Sequence, residues 1–361
     1  MAGLYIHIPF CHSKCIYCDF YSTPDLRHLD QLLDALGREY SRRRDEISEK
    51  FNTVYFGGGT PSIIPPEKLS RLCAALPVGN AEEFTIEANP EDIDPEKIKT
   101  WREIGINRIS MGLQSFDDRE LAIIRRRHSA SDAGRAIETL LAGGIRNISC
   151  DLIYGLPGQS LGSWERSLDR LLAYDLPHIS AYCLSYEPGT ALYARMTAGR
   201  IKPTDDEILE EMYTLLCART ANCGYEHYEI SNFAKPGMRS RHNSSYWTST
   251  PYLGLGPGAH SFDGSTRRYN TTDLKTYVET ADITVIDEEN DDQRFNDLII
   301  TSLRTSDGLD CDRLDSDQRD YIIRAARPFV ADGSVMTDGH RLRISEQAWF
   351  RSDAILREII I

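Results

Sequence analysis

Short apolar runs alternate with amphipathic stretches along most of the 361-residue chain. Each run is mostly apolar or β-branched and ends in turn residues, which is typical of a buried β-strand. Each amphipathic stretch repeats leucine or isoleucine every three or four positions, as expected of a helix with one buried face. Strands that alternate with helices predict right-handed βαβ units and a parallel sheet.

The pattern predicts six strands, most of them followed by a helix. The predicted strands cover residues 4–8, 53–56, 83–88, 108–113, 147–154 and 178–184. The predicted helices begin near Thr23-Pro24, Pro65, Pro95 and Asp205. In barrel-type α/β folds the active site is formed by the segments that follow the carboxyl ends of the strands. We therefore expect the functional residues to lie in those segments.

Polar residues stand at the carboxyl ends of the predicted strands. They are Glu87 and Asn89 on the third strand, Gln114 and Ser115 on the fourth, Asp151 and Tyr154 on the fifth, and Tyr186 and Glu187 on the sixth. Each one alone is also explained as a turn residue, because turns favour polar side chains. Their presence on one strand after another favours a shared site at this face.

Three cysteines, Cys11, Cys15 and Cys18, follow the first strand. Short spacings of this kind hold iron–sulfur clusters, and three thiolates leave one iron of a [4Fe–4S] cluster open. An open position indicates chemistry rather than structure, and the amino and carboxylate groups of S-adenosylmethionine can bind such an iron. The alternative is a structural zinc site that uses the adjacent His12 as its fourth ligand. A disulfide framework is disfavoured, because the other six cysteines are scattered along a long chain.

The second strand ends in the glycine run Gly57-Gly58-Gly59-Thr60-Pro61. Consecutive glycines let the backbone approach a ligand closely, and their N–H groups can bind an anion. The run matches neither a Gly-Lys-Ser/Thr phosphate loop nor a dinucleotide fingerprint. A tight turn into a helix is the alternative. Next to a cysteine loop, we interpret the run as a binding surface for the methionine part of S-adenosylmethionine.

The net charge and the lengths of the apolar runs limit the classes of partner that the chain can bind. The formal net charge is −14, which disfavours binding to nucleic-acid phosphates. No apolar run approaches the ~18 residues that suggest a membrane helix. The first strand begins almost at the N-terminus, with no room for a signal peptide before it. We expect a cytoplasmic protein, in a compartment that keeps its thiols reduced.

Taken together, these motifs resemble the radical S-adenosylmethionine (radical SAM) superfamily. Within it the chain resembles the HemN-like family, which contains oxygen-independent coproporphyrinogen III oxidases and HemW-type haem chaperones. The matching segments are 4–18, 57–61, 87–90, 108–116, 151–157, 225–234 and 241–247. The resemblance covers nearly the whole chain. It implies an α/β fold: a partial TIM-type (β/α)6 radical SAM barrel with a small C-terminal accessory domain.

The resemblance also implies roles for individual residues. It implies that Cys11, Cys15 and Cys18 hold the [4Fe–4S] cluster. It further implies that S-adenosylmethionine contacts Tyr5, Gly58, Gly59, Thr60, Glu87, Gln114, Arg126 and Asp151. A guanidinium such as that of Arg126 suits a carboxylate.

Two departures from the oxidase pattern favour a haem chaperone. The oxidases carry a fourth cysteine two residues after the third, where this chain has Phe20, and they carry an N-terminal extension, whereas only ten residues precede Cys11 here. The run from His242 to Trp247 resembles the haem-associated signature of the HemW type. We expect haem binding and transfer to apo-haemoproteins, with peripheral contact to membrane-bound haem proteins. Radical decarboxylation of coproporphyrinogen III is the alternative, and whether the chain is an enzyme stays open.

His242 is the residue that the resemblance associates with haem, as an axial ligand or as a group that orients one. Imidazole is a common axial ligand, and the neighbouring Tyr246 and Trp247 could stack on a porphyrin. The alternative is that His242 forms hydrogen bonds within a loop and that Trp247 is simply buried. Other side chains available to haem iron are Cys183, Cys217, His227 and His260.

Three domains are predicted. Residues 1–225 would form the radical SAM core, 226–290 an extension that contains the His242 run, and 291–361 a C-terminal accessory domain of helices and a short hairpin. Asp338-Gly339 predicts the turn of that hairpin.

Overall fold

A computed structural model describes residues 2–361. Its centre is six parallel strands that lie side by side in chain order. They are β1 Ala2–Ile8, β2 Phe51–Gly58, β3 Glu83–Ala88, β4 Arg108–Gln114, β5 Asn147–Tyr154 and β6 His178–Cys183. The helices between and after them are α1 Leu29–Arg43, α2 Pro66–Ala75, α3 Pro95–Glu103, α4 Asp118–Ile123, α5 Ala130–Ala142, α6 Leu161–Leu172, α7 Ala191–Thr197 and α8 Asp206–Asn222. The predicted strands and the parallel βα alternation are confirmed.

The first helix begins later than predicted. A single 3-10 turn, Leu26–His28, precedes α1, and the Asp25 side chain caps that turn by accepting from the Arg27 N–H. The prediction of a start near Thr23-Pro24 is wrong because Thr23 pairs with Phe10. The Cys11 N–H donates to the Thr23 carbonyl oxygen at 3.1 Å. The segment after the third cysteine therefore returns to the first and closes the cysteine loop.

Further strands extend both edges of the six-stranded sheet. The next elements are β7 Glu226–Glu229, β8 Asn232–Ala234, α9 Arg241–Trp247, β9 Tyr252–Leu255, β10 His260–Phe262, β11 Arg267–Asn270, α10 Leu274–Thr280 and β12 Thr284–Asp287. Strand β8 pairs antiparallel with β6, and β9 pairs parallel with β1. The sheet thus has twelve strands in the described chain, and residues 226–290 flank the parallel strands on both sides.

The C-terminal residues form a separate three-stranded sheet with helices around it. Their elements are α11 Asp291–Leu303, β13 Leu309–Asp310, α12 Ser316–Ala331, β14 Val335–Thr337, β15 Arg341–Ile344 and α13 Ser352–Ile359. Strands β14 and β15 are an antiparallel pair, and Gly339 between them has φ of 89°. The predicted hairpin is confirmed. The domain boundaries at 225/226 and 290/291 stay a prediction.

The parallel strands have one apolar and one polar face. Side chains such as Val54, Phe84 and Ile109 belong to the buried core that the helices cover. The alternate positions are polar, because side chains on successive residues of a strand point to opposite faces. The strand register aligns Glu87, Ser110, Ser149 and His178 across four neighbouring strands. Among residues 2–361, no helix is both long and apolar enough to cross a membrane.

Candidate functional site

The three motif cysteines lie in one loop at the carboxyl end of β1. Cys11 is buried, whereas Cys15 and Cys18 are partly exposed, and all three are free thiols. The Cys18 N–H donates to the Cys15 carbonyl oxygen at 3.3 Å, which folds the loop back on itself. Burial raises the pKa of the Cys18 thiol to about 11. A bound metal must therefore drive the loss of this proton.

The glycine run passes beside the strand that enters the cysteine loop. The Gly59 N–H donates to the Ile8 carbonyl oxygen at 2.8 Å, and the Thr60 N–H donates to the Phe10 carbonyl oxygen at 2.7 Å. A Cβ on Gly59 would lie 2.4 Å from the Phe10 oxygen, and Gly58 has φ of 110°. Both positions therefore need glycine, one for close approach and one for its backbone conformation.

We expect Gly59→Ala to lower both the stability of the fold and the affinity for S-adenosylmethionine. The new methyl group would push Phe10, which directly precedes Cys11, and overpacking of this kind costs about 1–3 kcal/mol of unfolding free energy. Denaturant unfolding and anaerobic titration with S-adenosylmethionine measure the two effects. Gly79→Ala is the matched control, because nothing lies within 4 Å of its Cβ. Equal behaviour of the two variants would contradict the close approach.

Two half-buried carboxylates, Glu87 and Asp151, face the polar side of the sheet. Glu87 accepts hydrogen bonds from the Tyr55 hydroxyl at 2.8 Å and from the Gly58 N–H at 3.1 Å. Burial raises the pKa of Glu87 to about 7 and that of Asp151 to about 6. One oxygen of Asp151 is buried with no hydrogen-bond partner in the described chain. An unpaired buried carboxylate oxygen of this kind fits a ligand that donates a hydrogen bond.

Arg126 connects the carboxyl end of β4 to the cysteine loop. Its guanidinium donates to the Asn89 side-chain oxygen and to the Gly112 carbonyl oxygen, and its Nη1 lies 3.6 Å from the Cys15 sulfur. Its Nε is buried with no partner among residues 2–361. Gln114 at the end of the same strand is buried, with φ of 69°. The structure thus brings both residues to the face where the cysteines lie.

Tyr5 lies on β1, the strand that leads into the cysteine loop. Its hydroxyl lies 3.1 Å from His7 Nδ1, and its ring stacks on that of Tyr55 with centroids 6.1 Å apart. Burial, together with the charge of Glu87, raises the pKa of Tyr5 well above its usual value. Tyr5 is therefore a neutral hydroxyl in contact with the polar face.

Sequence reasoning missed several residues on the polar face. Tyr55 supports Glu87, the His7 ring lies where a Gly58 side chain would be, and Arg108 is an almost fully buried cation. The available signal was the alternation of polar with apolar residues within the predicted strands. Tyr17 was missed as well; it packs against a small apolar cluster beneath the cysteine loop.

The structure places His242 away from the cysteines, at the amino ends of the strands. His242 Nδ1 lies 2.8 Å from the Thr53 hydroxyl and its Nε2 lies 2.9 Å from the Tyr246 hydroxyl, so both ring nitrogens have partners. Its ring stacks on Tyr55 with centroids 5.1 Å apart. Gly58, beside the cysteine loop, lies five residues beyond Thr53 on β2, a distance of about 16 Å along a strand.

Burial, with the Arg108 charge nearby, lowers the pKa of His242 to about 3. Its imidazole is therefore neutral at physiological pH. Only 1% of the residue is exposed. The ring reaches another ligand only if a partner hydroxyl moves away from one of its nitrogens.

The chain is similar to proteins of known family and to a solved structure. The radical SAM superfamily model matches residues 5–171. A protein named heme chaperone HemW from Bacillus subtilis is 39% identical over 77% of this chain and 76% of its own length. A protein of the same name from Mycobacterium tuberculosis is 35% identical over 99% of this chain and 94% of its own length. The solved structure of Escherichia coli coproporphyrinogen III oxidase (HemN) matches with a TM-score of 0.84 and 23% identity, covering 99% of this chain and 90% of that one.

The parallel (β/α) core with three loop cysteines thus defines a radical SAM protein with a HemN-like fold. Membership of this superfamily implies a [4Fe–4S] cluster and S-adenosylmethionine as cofactors. By its similarity to relatives over most of its length, the chain belongs to the HemW family.

Proposed function

We propose that this protein is a haem chaperone, which binds haem and transfers it to apo-haemoproteins. One observation carries the proposal. A cavity of about 330 Å³ adjoins helix α9, which carries His242, at the end of the sheet away from the cysteines. Its volume is within the range of small-molecule sites, about 300–1,000 Å³. The relatives named heme chaperone HemW support the same function.

The cysteine end would bind the cluster and S-adenosylmethionine. Cys11, Cys15 and Cys18 would hold the [4Fe–4S] cluster, which supplies an electron and an open iron when it is bound. Glu87 and Asp151 would accept hydrogen bonds from the cationic ligand, and Arg126 would bind a carboxylate. The methionine part of S-adenosylmethionine would lie against Gly58, Gly59 and Thr60. Tyr5 and Gln114 would be at its sides.

The cavity beside α9 has the chemistry of a porphyrin site. Trp247 lines it together with Tyr228, and aromatic rings can stack on a macrocycle. Three arginines, Arg239, Arg313 and Arg341, line it as well, and two of them pair with the lining carboxylates of Asp307 and Asp310. Guanidinium groups suit carboxylates such as the haem propionates. Aromatic and cationic groups thus both line the cavity, with Arg239 over the Tyr228 ring, and a haem propionate would compete with Asp307 and Asp310 for Arg239 and Arg341.

His242 is proposed to position this site. Both ring nitrogens of His242 already have hydrogen-bond partners. This favours a role in orienting Tyr246 and helix α9 rather than axial ligation of iron. The amino end of the same helix is fixed by Glu83, whose carboxylate accepts from the Arg241 and His242 N–H groups. His242 would then act on haem through the placement of its neighbours.

The proposed setting is the cytoplasm, with apo-haemoproteins as partners, including peripheral contact with membrane-bound ones. The oxidase alternative rests on the fold shared with the E. coli enzyme. Phe20 stands where the oxidases have a fourth cysteine, and this residue is 64% exposed. An exposed phenylalanine cannot replace a thiolate ligand.

The test is anaerobic reconstitution followed by haem titration, observed through the Soret band. We expect one haem per chain, and Trp247→Ala should weaken its affinity by about 2- to 13-fold, since aromatic stacking contributes about 0.5–1.5 kcal/mol. His242→Ala should alter the Soret band or the affinity while the iron–sulfur content stays unchanged. His340→Ala is the control, because His340 is exposed on the hairpin turn.

Absence of stoichiometric haem binding would contradict the proposal. The oxidase reading would replace it if the wild-type protein converted coproporphyrinogen III to protoporphyrinogen IX with cleavage of S-adenosylmethionine. Transfer is tested by activation of a haem-dependent apo-enzyme in the same anaerobic mixture.

A further inference from the structure

Three potential metal ligands meet at the edge of the large sheet, outside both sites described above. Cys217 lies on α8, His227 on β7, and Glu346 on the 3-10 helix Glu346–Arg351 of the C-terminal segment. The Cys217 sulfur is 3.9 Å from His227 Nδ1, which is 3.8 Å from a Glu346 oxygen. All three ligand atoms lie within 4.8 Å of one another. Residues from three elements thus converge on one point.

The distances fit a small divalent cation. In a tetrahedral zinc site, bonds of about 2.3 Å to sulfur and about 2.0 Å to nitrogen place those two ligands roughly 3.5 Å apart. The sulfur–nitrogen and nitrogen–oxygen distances lie within about half an ångström of this geometry, and the exposed Glu346 side chain can move to bring its oxygen closer to the sulfur. Thiolate, imidazole and carboxylate are all ligands that zinc accepts. One thiolate and one carboxylate also balance the two positive charges of the ion.

The surroundings fix the imidazole and exclude a larger group. Phe233 stacks on the His227 ring with centroids 4.1 Å apart, and Trp349 meets it edge-on at 4.3 Å. These two rings leave no space for a porphyrin at His227, so the site suits a bare ion rather than haem. The Glu346 side chain is 61% exposed and provides the route from solvent.

We propose that Cys217, His227 and Glu346 bind one zinc ion, which fastens the C-terminal segment to the edge of the sheet. On binding, the zinc–sulfur bond forms as the Cys217 thiol releases its proton to solvent. The buried Tyr213 hydroxyl lies beside the Cys217 sulfur, where it can donate to the thiolate. A water molecule completes the four-coordinate site.

The test uses the full chain with Cys11, Cys15 and Cys18 all replaced by serine, so that the cluster loop cannot bind metal. Cobalt(II) is the probe, because its bond to a thiolate gives a charge-transfer band in the near ultraviolet. We expect one cobalt per chain, competed by zinc, and a rise in the thermal unfolding temperature with either metal. Adding Cys217→Ser should remove the band. Cys223→Ser should leave it unchanged, because Cys223 is exposed at the end of the same helix.

Glu346→Gln keeps the proposal testable if Cys217→Ser fails to fold, since Glu346 is on the surface. It should weaken cobalt affinity by about tenfold or more. Circular dichroism checks that each variant is folded. Absence of a thiolate band in the starting chain, or its persistence in folded Cys217→Ser, would overturn the proposal. Neither result would affect the haem proposal, whose site lies elsewhere.

Discussion

Replacement of Cys15 by alanine is expected to abolish the iron–sulfur cluster and leave the chain folded. Anaerobic reconstitution should give about four irons and four sulfides per wild-type chain, as one cubane requires. In Cys15→Ala the iron content should fall to near zero, because two thiolates do not hold the cluster. The fold should persist, since the cysteine loop lies at the carboxyl ends of the strands rather than in the helix-covered core.

Iron and sulfide analysis, with circular dichroism in parallel, measures both parts. Cys73→Ala is the wrong control, because Cys73 is buried in the core. Cys223→Ala is the right one, since its thiol is exposed and far from the motif in sequence. One zinc per wild-type chain with no sulfide would show that the loop is a structural zinc site instead.

Loss of the Glu87 or Asp151 carboxylate is expected to weaken S-adenosylmethionine binding. Asp151→Ala and Glu87→Ala should each cost about 1–3 kcal/mol, because each removes a charge-assisted hydrogen bond. This corresponds to roughly a 5- to 150-fold higher Kd. Asp151 should show the effect most cleanly, since one of its oxygens has no partner in the described chain. Glu87 also supports Tyr55 and Gly58, so its loss disturbs the site in two ways.

Direct calorimetric titration of the reconstituted protein measures these affinities. Asp320→Ala is the matched control, because Asp320 is exposed on α12. Normal binding by both variants would show that the ligand lies elsewhere. Loss of iron in either variant would instead show that the carboxylates support the cluster, so iron content must be measured on the same samples.

The six strands were predictable because their apolar residues form short runs bounded by turns. The shared face of Glu87, Gln114 and Asp151 followed from the rule that parallel strands present their carboxyl ends together. The start of α1 was not predictable, because Thr23 is held by a pairing with Phe10 thirteen residues earlier. A pattern local to Thr23-Pro24 contains no information about that contact.

The position of His242 also could not be predicted from the sequence. Its run follows the parallel core, and only the packing of α9 on Gly3, Thr53 and Tyr55 places it at the amino ends of the strands. Similarly, Cys217, His227 and Glu346 span nearly 130 residues of sequence. No spacing rule for metal ligands joins residues so far apart.

A series of direct contacts crosses the polar face of the sheet from helix α9, beside the proposed haem cavity, to the glycine run. His242 stacks on Tyr55, the Tyr55 hydroxyl donates to Glu87, and Glu87 accepts from the Gly58 N–H. If a ligand at one end of this series of contacts shifts the other end, thermodynamic linkage makes the effect on affinity reciprocal. The factor by which S-adenosylmethionine changes haem affinity is then the factor by which haem changes S-adenosylmethionine affinity. In a carrier that must release its haem, such coupling would make the supply of a second metabolite a control on delivery.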